Sequence, residues 1–256
     1  MKITKVTSKY DLKRGIIFPK INDDLAEFIG ILTGDGYIGQ YILSDRVVSS
    51  IEISANKIKD LAYINNFVAP LVKKLFNLNP NIYYRNKENT SRLIIYSKDI
   101  VQFIHELDFP LGNKGFISPP KWILKNKPFF KRFIRGFFDT DGCITLKNKE
   151  GKKYPVANMA SKSKPLLESI SIFLKKNEIS SYLGRTISND PRFKKETITY
   201  KLEINGIKNI ILFNQLIGSN NPRNEVKYKE MINKMGSLGV EPRTTAASVQ
   251  CSPAEL

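Results

Sequence analysis

Two stretches of this chain repeat one another at a fixed distance, and that repetition limits the fold more than any other feature. Residues 28–36 read FIGILTGDG and residues 134–142 read IRGFFDTDG. Their alignment sets Gly30 on Gly136, Gly34 on Thr140, Asp35 on Asp141 and Gly36 on Gly142, always at an offset of 106 residues. Residues 54–61 (SANKIKDL) and 160–166 (ASKSKPL) echo each other too, with Lys57 on Lys162 and Leu61 on Leu166 at an offset of 105. An offset held over such a distance predicts two copies of one half-domain.

Each half carries the same order of signals. A helix ends at the Asp-Gly pair. Strand-like stretches follow at 39–43 and 47–54, and again at 143–146 and 154–160. Amphipathic helices are expected over 57–76 and 163–177. Second strand pairs are expected at 81–85 with 92–97 and at 181–188 with 197–204, then short helices at 98–107 and 206–217. The connections within the pairs are too short for parallel crossovers, so the strands must be antiparallel. The prediction is an α/β (α+β) fold of two pseudo-symmetric αββαββα half-domains. The first half covers 1–112 and the second 128–235, joined by a linker at 113–127 within a Pro- and Gly-rich stretch. Residues 236–256 lose periodicity and read as a disordered or foreign tail.

Glycine inside a helix costs about 1 kcal/mol relative to alanine. Gly30 and Gly34 lie on one stripe of the first helix, Gly136 and Thr140 on one stripe of the second. Small residues four apart let helix backbones approach closely, so the two helices are expected to pack on these stripes. Asn22 is placed to cap the first, and Gly36 and Gly142 read as their C-terminal stops. Such packing would bring Asp35 and Asp141 together where last-turn carbonyls lack partners, a setting suited to a hard cation.

Charge and rare residues narrow the chemistry. The 41 Lys and Arg against 24 Asp and Glu leave +17, which predicts a polyanionic partner, nucleic acid first. With two cysteines (Cys143, Cys251) and one histidine (His105), there is no disulfide framework, Cys-rich zinc site or His-ligated nuclease centre. His105, in an apolar stretch, reads as a packed or helix-surface residue. Nothing approaches the roughly 18 apolar residues of a membrane span, so no membrane partner is expected and an intracellular location is: cytoplasm or nucleoid, or an organelle in a eukaryote. Hydrolysis would rest on carboxylates, lysines and a hard cation.

The paired nine-residue segments, with Leu25-Ala26-Glu27 and Phe133 beside them, resemble the double signature of the LAGLIDADG homing endonucleases, and the resemblance covers about residues 20–235. It implies a double-strand DNA endonuclease acting as a monomer on a long asymmetric site, cutting across the minor groove and leaving short 3′ overhangs. Its motif helices would form the interface between halves, and its strands a saddle over the major groove. Asp35 and Asp141 would bind catalytic metal, with Gly34 and Thr140 carbonyls as co-ligands. The cofactor implied is Mg²⁺, with Mn²⁺ or Ca²⁺ able to substitute for binding. Thr33 stands where the second motif has Asp139, a departure at a position that is not the usual ligand.

Lys57 and Lys162, with Asn56 and Ser161 beside them, resemble the family's residues that organise active-site water and charge; Lys147 is a weaker candidate. Asn81, Tyr83, Arg85 and Arg92, and in the second half Arg185, Thr197, Thr199 and Lys201, are the candidates for DNA contact. No splicing blocks are recognisable, so an intron-encoded or free-standing enzyme is expected rather than an intein. The alternative is an RNA maturase that assists intron splicing, with intron RNA as partner.

Overall fold

The structure, a computed structural model, describes residues 5–84, 88–149, 152–190 and 195–236. Its elements in chain order are α1 (Lys9–Lys13), α2 (Asp23–Asp35), β1 (Gly36–Leu43), β2 (Arg46–Asn56), α3 (Leu61–Tyr63), a π turn (Ile64–Val68) and α4 (Ala69–Phe76). Next come β3 (Asn81–Tyr84), β4 (Thr90–Tyr96), α5 (Lys98–Glu106) and α6 (Lys121–Leu124). The second half holds α7 (Lys127–Asp141), β5 (Gly142–Lys149), β6 (Lys152–Ser161), α8 (Lys164–Lys175), β7 (Tyr182–Asp190), β8 (Lys195–Asn205), α9 (Ile207–Leu216) and α10 (Pro222–Gly236). The αββαββα order thus occurs twice, with α1, α6 and α10 added.

Each half builds one four-stranded antiparallel sheet, ordered β1-β2-β4-β3 and β5-β6-β8-β7. The ladders are equivalent: Gly36 pairs with Ile53 and Gly142 with Met159. One face of each sheet is apolar and buried, with Ile38, Ile51, Ile53, Leu93 and Ile95 in the first and Ile144, Ala157, Met159, Leu202 and Ile204 in the second. Period-two alternation leaves the other face polar or aromatic.

The central contact is α2 against α7. A Cβ on Gly30 would lie 2.1 Å from the Phe133 carbonyl oxygen, one on Gly136 2.2 Å from that of Glu27, and one on Gly34 2.0 Å from Thr140 Oγ1. The glycines are there because backbone fills the space a side chain would need. Phe28 packs edge-on to Phe76, and Phe138 edge-on to Phe213 at 4.9 Å, so each motif helix also anchors its own half.

Three local expectations are revised. Gly36 and Gly142 do not end their helices in the left-handed region: their φ values are −83° and −109°, and the chain enters β1 and β5 directly. Glycine is needed for space, since a Cβ would come within 2.5 Å of Leu32 Cα at Gly36 and 2.2 Å of the Phe138 ring at Gly142. The helix expected from residue 57 begins at Leu61, because Asn56 Oδ1 accepts from the Ile58 and Lys59 amides and closes a turn instead. Its π turn precedes Pro70, which has no N–H to continue the regular ladder.

Asn22 caps α2 by accepting from the Leu25 amide at 2.8 Å, and Asn126 does the same for α7. Asn22→Ala is expected to lower stability by about 1 kcal/mol in a denaturant titration.

Candidate active site at the paired helix ends

Because α2 and α7 pack along their small-residue stripes, their last turns finish side by side. The Asp141 carboxylate lies against Gly34, 3.3 Å from where a Cβ on that residue would stand. Burial pushes the Asp141 carboxyl up to about 7, helped by the charge of Asp35 and opposed by that of Lys114. Asp35 keeps an open side toward solvent. The helix ends close around the rest of it, and this desolvation raises its carboxyl to about 6; Lys114 and Arg223 work against the rise and Asp60 adds to it.

Two like charges forced together in a poorly hydrated place call for a cation. Among the described residues no three His, Cys, Asp or Glu side chains converge. A magnesium-like ion needs no more than one or two carboxylates here, since it keeps several waters and takes phosphate oxygens from its substrate. The donor set fits such an ion.

Lys114 is the residue that reading the sequence missed. It lies in the linker, yet its ammonium donates to the carbonyls of Leu32 (3.2 Å), Thr33 (2.8 Å) and Gly34 at the end of α2. The Gly34 carbonyl, expected as a metal co-ligand, therefore already faces a positive charge. Burial lowers the Lys114 ammonium's pKa, while Asp141 and Asp35 raise it. The segment is positioned by the Gly112 amide donating to Ile38 O at 2.6 Å and by Ser163 Oγ donating to Ile117 O. A lone lysine in a Pro- and Gly-rich linker carries no local signal of this role.

The second half treats its helix end differently. Asn221 Nδ2 donates to Asp139 O at 2.9 Å, so a neutral amide stands there. Asp139 itself is buried, accepts from Ser219 Oγ and the Asn220 amide, and is raised by burial to about 7. The hydroxyl of its counterpart Thr33 bonds back to Ile29 O. The Thr33/Asp139 difference is thus structural: Asp139 ties the 219–221 turn to α7. Glu27, in the first turns of α2, crosses to the other half. It accepts a two-pronged bond from Arg135 (2.8 and 2.5 Å) and another from Asn220 (2.6 Å), in a setting where burial still raises its carboxyl. Arg223 pairs with Asp60 at 3.1 Å, a further link between halves close to Asp35.

Lys57 lies in the turn after β2, where its amide bonds Asn89 O, and Lys162 is exposed after β6. Asn56 and Ser161 close those two turns with their side-chain oxygens, Ser161 Oγ accepting from the Ser163 amide at 3.1 Å. Asn81 and Tyr83 share the open face of the first sheet with Arg92, which is ion-paired to Glu52 at 3.3 Å. Arg85 lies outside the described residues. Thr197, Thr199 and Lys201 share the open face of the second sheet, whereas Arg185 pairs with Tyr200 on the face of Leu183 and Leu202. His105 bonds Phe109 O through a ring nitrogen, a structural role.

The metal-free protein should change stability with pH in a defined sense. Carboxyls whose folded pKa lies above the usual value make the folded state bind more protons than the unfolded one. Stability therefore falls as pH rises from about 4 through 7, and is recovered below. Melting curves between pH 5 and 8 should show this decline, and a divalent cation should reduce it.

Comparison with known proteins agrees with this fold. Residues 129–218 match the family described as LAGLIDADG-like domain. Among solved structures, I-DmoI in complex with DNA and Ca superposes with a TM-score of 0.57 at 20% identity, covering 81% of this chain and 97% of that one. The I-LtrWI LAGLIDADG homing endonuclease bound to target DNA gives 0.55 at 15%, covering 84% and 91%. Among curated sequences, the replication factor C small subunit of Methanocaldococcus jannaschii is 26% identical over 231 residues, 89% of this chain. The probable translation initiation factor IF-2 of the same organism is 28% identical over 205 residues, 79% of this chain. The chain spans only 11% and 15% of those two proteins. The second motif half thus matches the LAGLIDADG-like domain in sequence, and the fold across both halves is the one seen in these solved homing endonucleases.

Proposed function

We propose that this chain is a metal-dependent, site-specific DNA endonuclease that cuts both strands. The observation that carries the reading is the meeting of Asp35 and Asp141 at the packed helix ends with the Lys114 ammonium beside them. Relatives named for replication and translation match most of this chain with only 11% and 15% of their own length, which supports a module separable from those roles. Among the solved neighbours, I-DmoI is described in complex with DNA and Ca, Mn or Mg, and two LAGLIDADG enzymes as bound to DNA.

When bound, a divalent cation supplies Lewis acidity at the scissile phosphate and lowers the pKa of attacking water. Asp35 and Asp141 would hold it, most readily as Mg²⁺, with Mn²⁺ or Ca²⁺ able to substitute for binding. Lys114 adds a desolvated positive charge that stabilises negative charge developing on the phosphate. The open sheet faces, with Arg92, Lys147 and Lys201, provide phosphate and base contacts. Lys57 and Lys162 are assigned to organising water and charge at the strand ends. The two unlike halves already contain their mutual interface, so a monomer reading an asymmetric site is proposed, with short 3′ overhangs as product.

The test is cleavage of a genomic or randomised DNA library with Mg²⁺, followed by sequencing of the ends. One long asymmetric site with staggered ends is expected. Absence of any cut at all metal concentrations would overturn the reading and turn attention to intron RNA. Lys114→Met should slow cleavage about 10²-fold while leaving DNA affinity within a few-fold. Binding should weaken steeply with salt, as for any protein neutralising many phosphates.

A further inference from the structure

The open face of the second sheet has a carboxylate at its centre, which is unexpected on a surface of a +17 protein meant for a polyanion. Cys143, Asn158, Glu203 and Tyr182 form one row across β5, β6, β8 and β7. Lys147 Nζ reaches the two carboxylate oxygens of Glu203 at 2.7 and 2.8 Å, and Lys201 Nζ reaches one at 3.1 Å. The lysine side chains are 45% and 38% exposed and that of Glu203 only 16%. The cations therefore form the outer layer and the carboxylate the floor.

Exposed lysine–carboxylate pairs are weak, and long lysine chains swing freely to a nearby phosphate. Glu203 is shorter and rooted between two strands, so it stays where it is. Against a duplex, the lysines would turn to the backbone and leave a bare acceptor facing the groove. Guanine offers that acceptor N7 and O6, and thymine O4, all repulsive. Adenine offers an amino group beside the N7 acceptor. Cytosine alone presents an amino donor with no acceptor next to it in the major groove.

We infer that Glu203 is a specificity-determining residue that selects cytosine at one position of the half-site lying under the second sheet. This rests on the DNA-cleaving function proposed above. In the first sheet the position equivalent to Glu203 is Ile94, and the carboxylate of that row, Glu52, stands one strand over at the position of Asn158, ion-paired to Arg92 at 3.3 Å. The two halves thus impose different chemical demands on their half-sites.

The experiment is a binding selection on randomised duplexes with Ca²⁺ as the divalent ion, comparing wild type with Glu203→Gln, Lys147→Met and Lys201→Met, each checked for an unchanged melting temperature. Wild type should enrich cytosine about 10-fold or more at one position of one half-site. Glu203→Gln should cut that preference to within about 2-fold, leave the other positions intact and raise affinity for unrelated DNA. The lysine variants should weaken binding without changing the base profile. A defined site whose profile is the same in Glu203→Gln as in wild type would overturn the inference alone, making the carboxylate only a partner for its lysines. No enriched site with wild type would overturn the endonuclease reading itself.

Discussion

Asp35→Asn and Asp141→Asn are each expected to abolish double-strand cleavage while raising the melting temperature of the metal-free protein at pH 8. The two effects have one cause. Burial holds both carboxyls above their usual range, Asp35 to about 6 and Asp141 to about 7, and the charge of Asp35 adds to the rise at Asp141. Replacing either by a neutral amide of the same shape removes a charge that the folded state accommodates poorly, so stability rises. The same change removes the anion that would hold the cation, and with it several kcal/mol of transition-state stabilisation, or about 10³-fold in rate. DNA affinity, carried by the sheet faces, should stay within a few-fold. Cleavage assays, melting curves and a binding titration on the two variants check each part. Lower stability with the loss of activity would show that the carboxylates support the fold, and full activity in either variant would remove that residue from the site.

Gly136→Ala and Gly30→Ala should each destabilise by about 3 kcal/mol or more, against the helix propensity that favours them by about 1 kcal/mol. The sign is decided by what the added methyl meets. At Gly136 it would lie 2.2 Å from the carbonyl oxygen of Glu27 and 2.9 Å from the amide nitrogen of Ile31, and at Gly30 2.1 Å from the carbonyl oxygen of Phe133. Those are backbone atoms of the opposing helix, which cannot rotate away, so the helices must part along their length. Parting them also loosens the Glu27–Arg135 link and displaces Asp35 from Asp141. Chemical denaturation should show the loss of stability and cleavage a larger proportional loss of rate. A neutral or stabilised variant would mean that the two helices are farther apart than described.

Much of this molecule is legible in one dimension because its strongest constraint is repetition. The equal offset between the two motifs predicted two like halves, and the glycine stripes predicted which helices touch. Both follow from local rules: glycine is tolerated in a helix only where something comes close, and period-two alternation marks a half-covered strand. The same rules fail where a residue acts at long range. Asp139 and Glu27 look like ordinary helix carboxylates, yet one holds a turn 80 residues away and the other binds Arg135 of the opposite half.

The sequence by itself determined the double half-domain, the helix pair at its centre, the two aspartates and the basic character of the whole. Tertiary structure alone decided what stands around those aspartates. Lys114 reaches the α2 carbonyls only because Gly112 and Ile117 hold its segment between the halves. Arg185 and Lys201 fall on opposite faces of the second sheet because strand register, not residue type, sets which way a side chain points. Gly36 and Gly142 stop their helices by making room for them rather than by turning left-handed. In each case the deciding atom belongs to a segment far along the chain, and no local pattern records its approach.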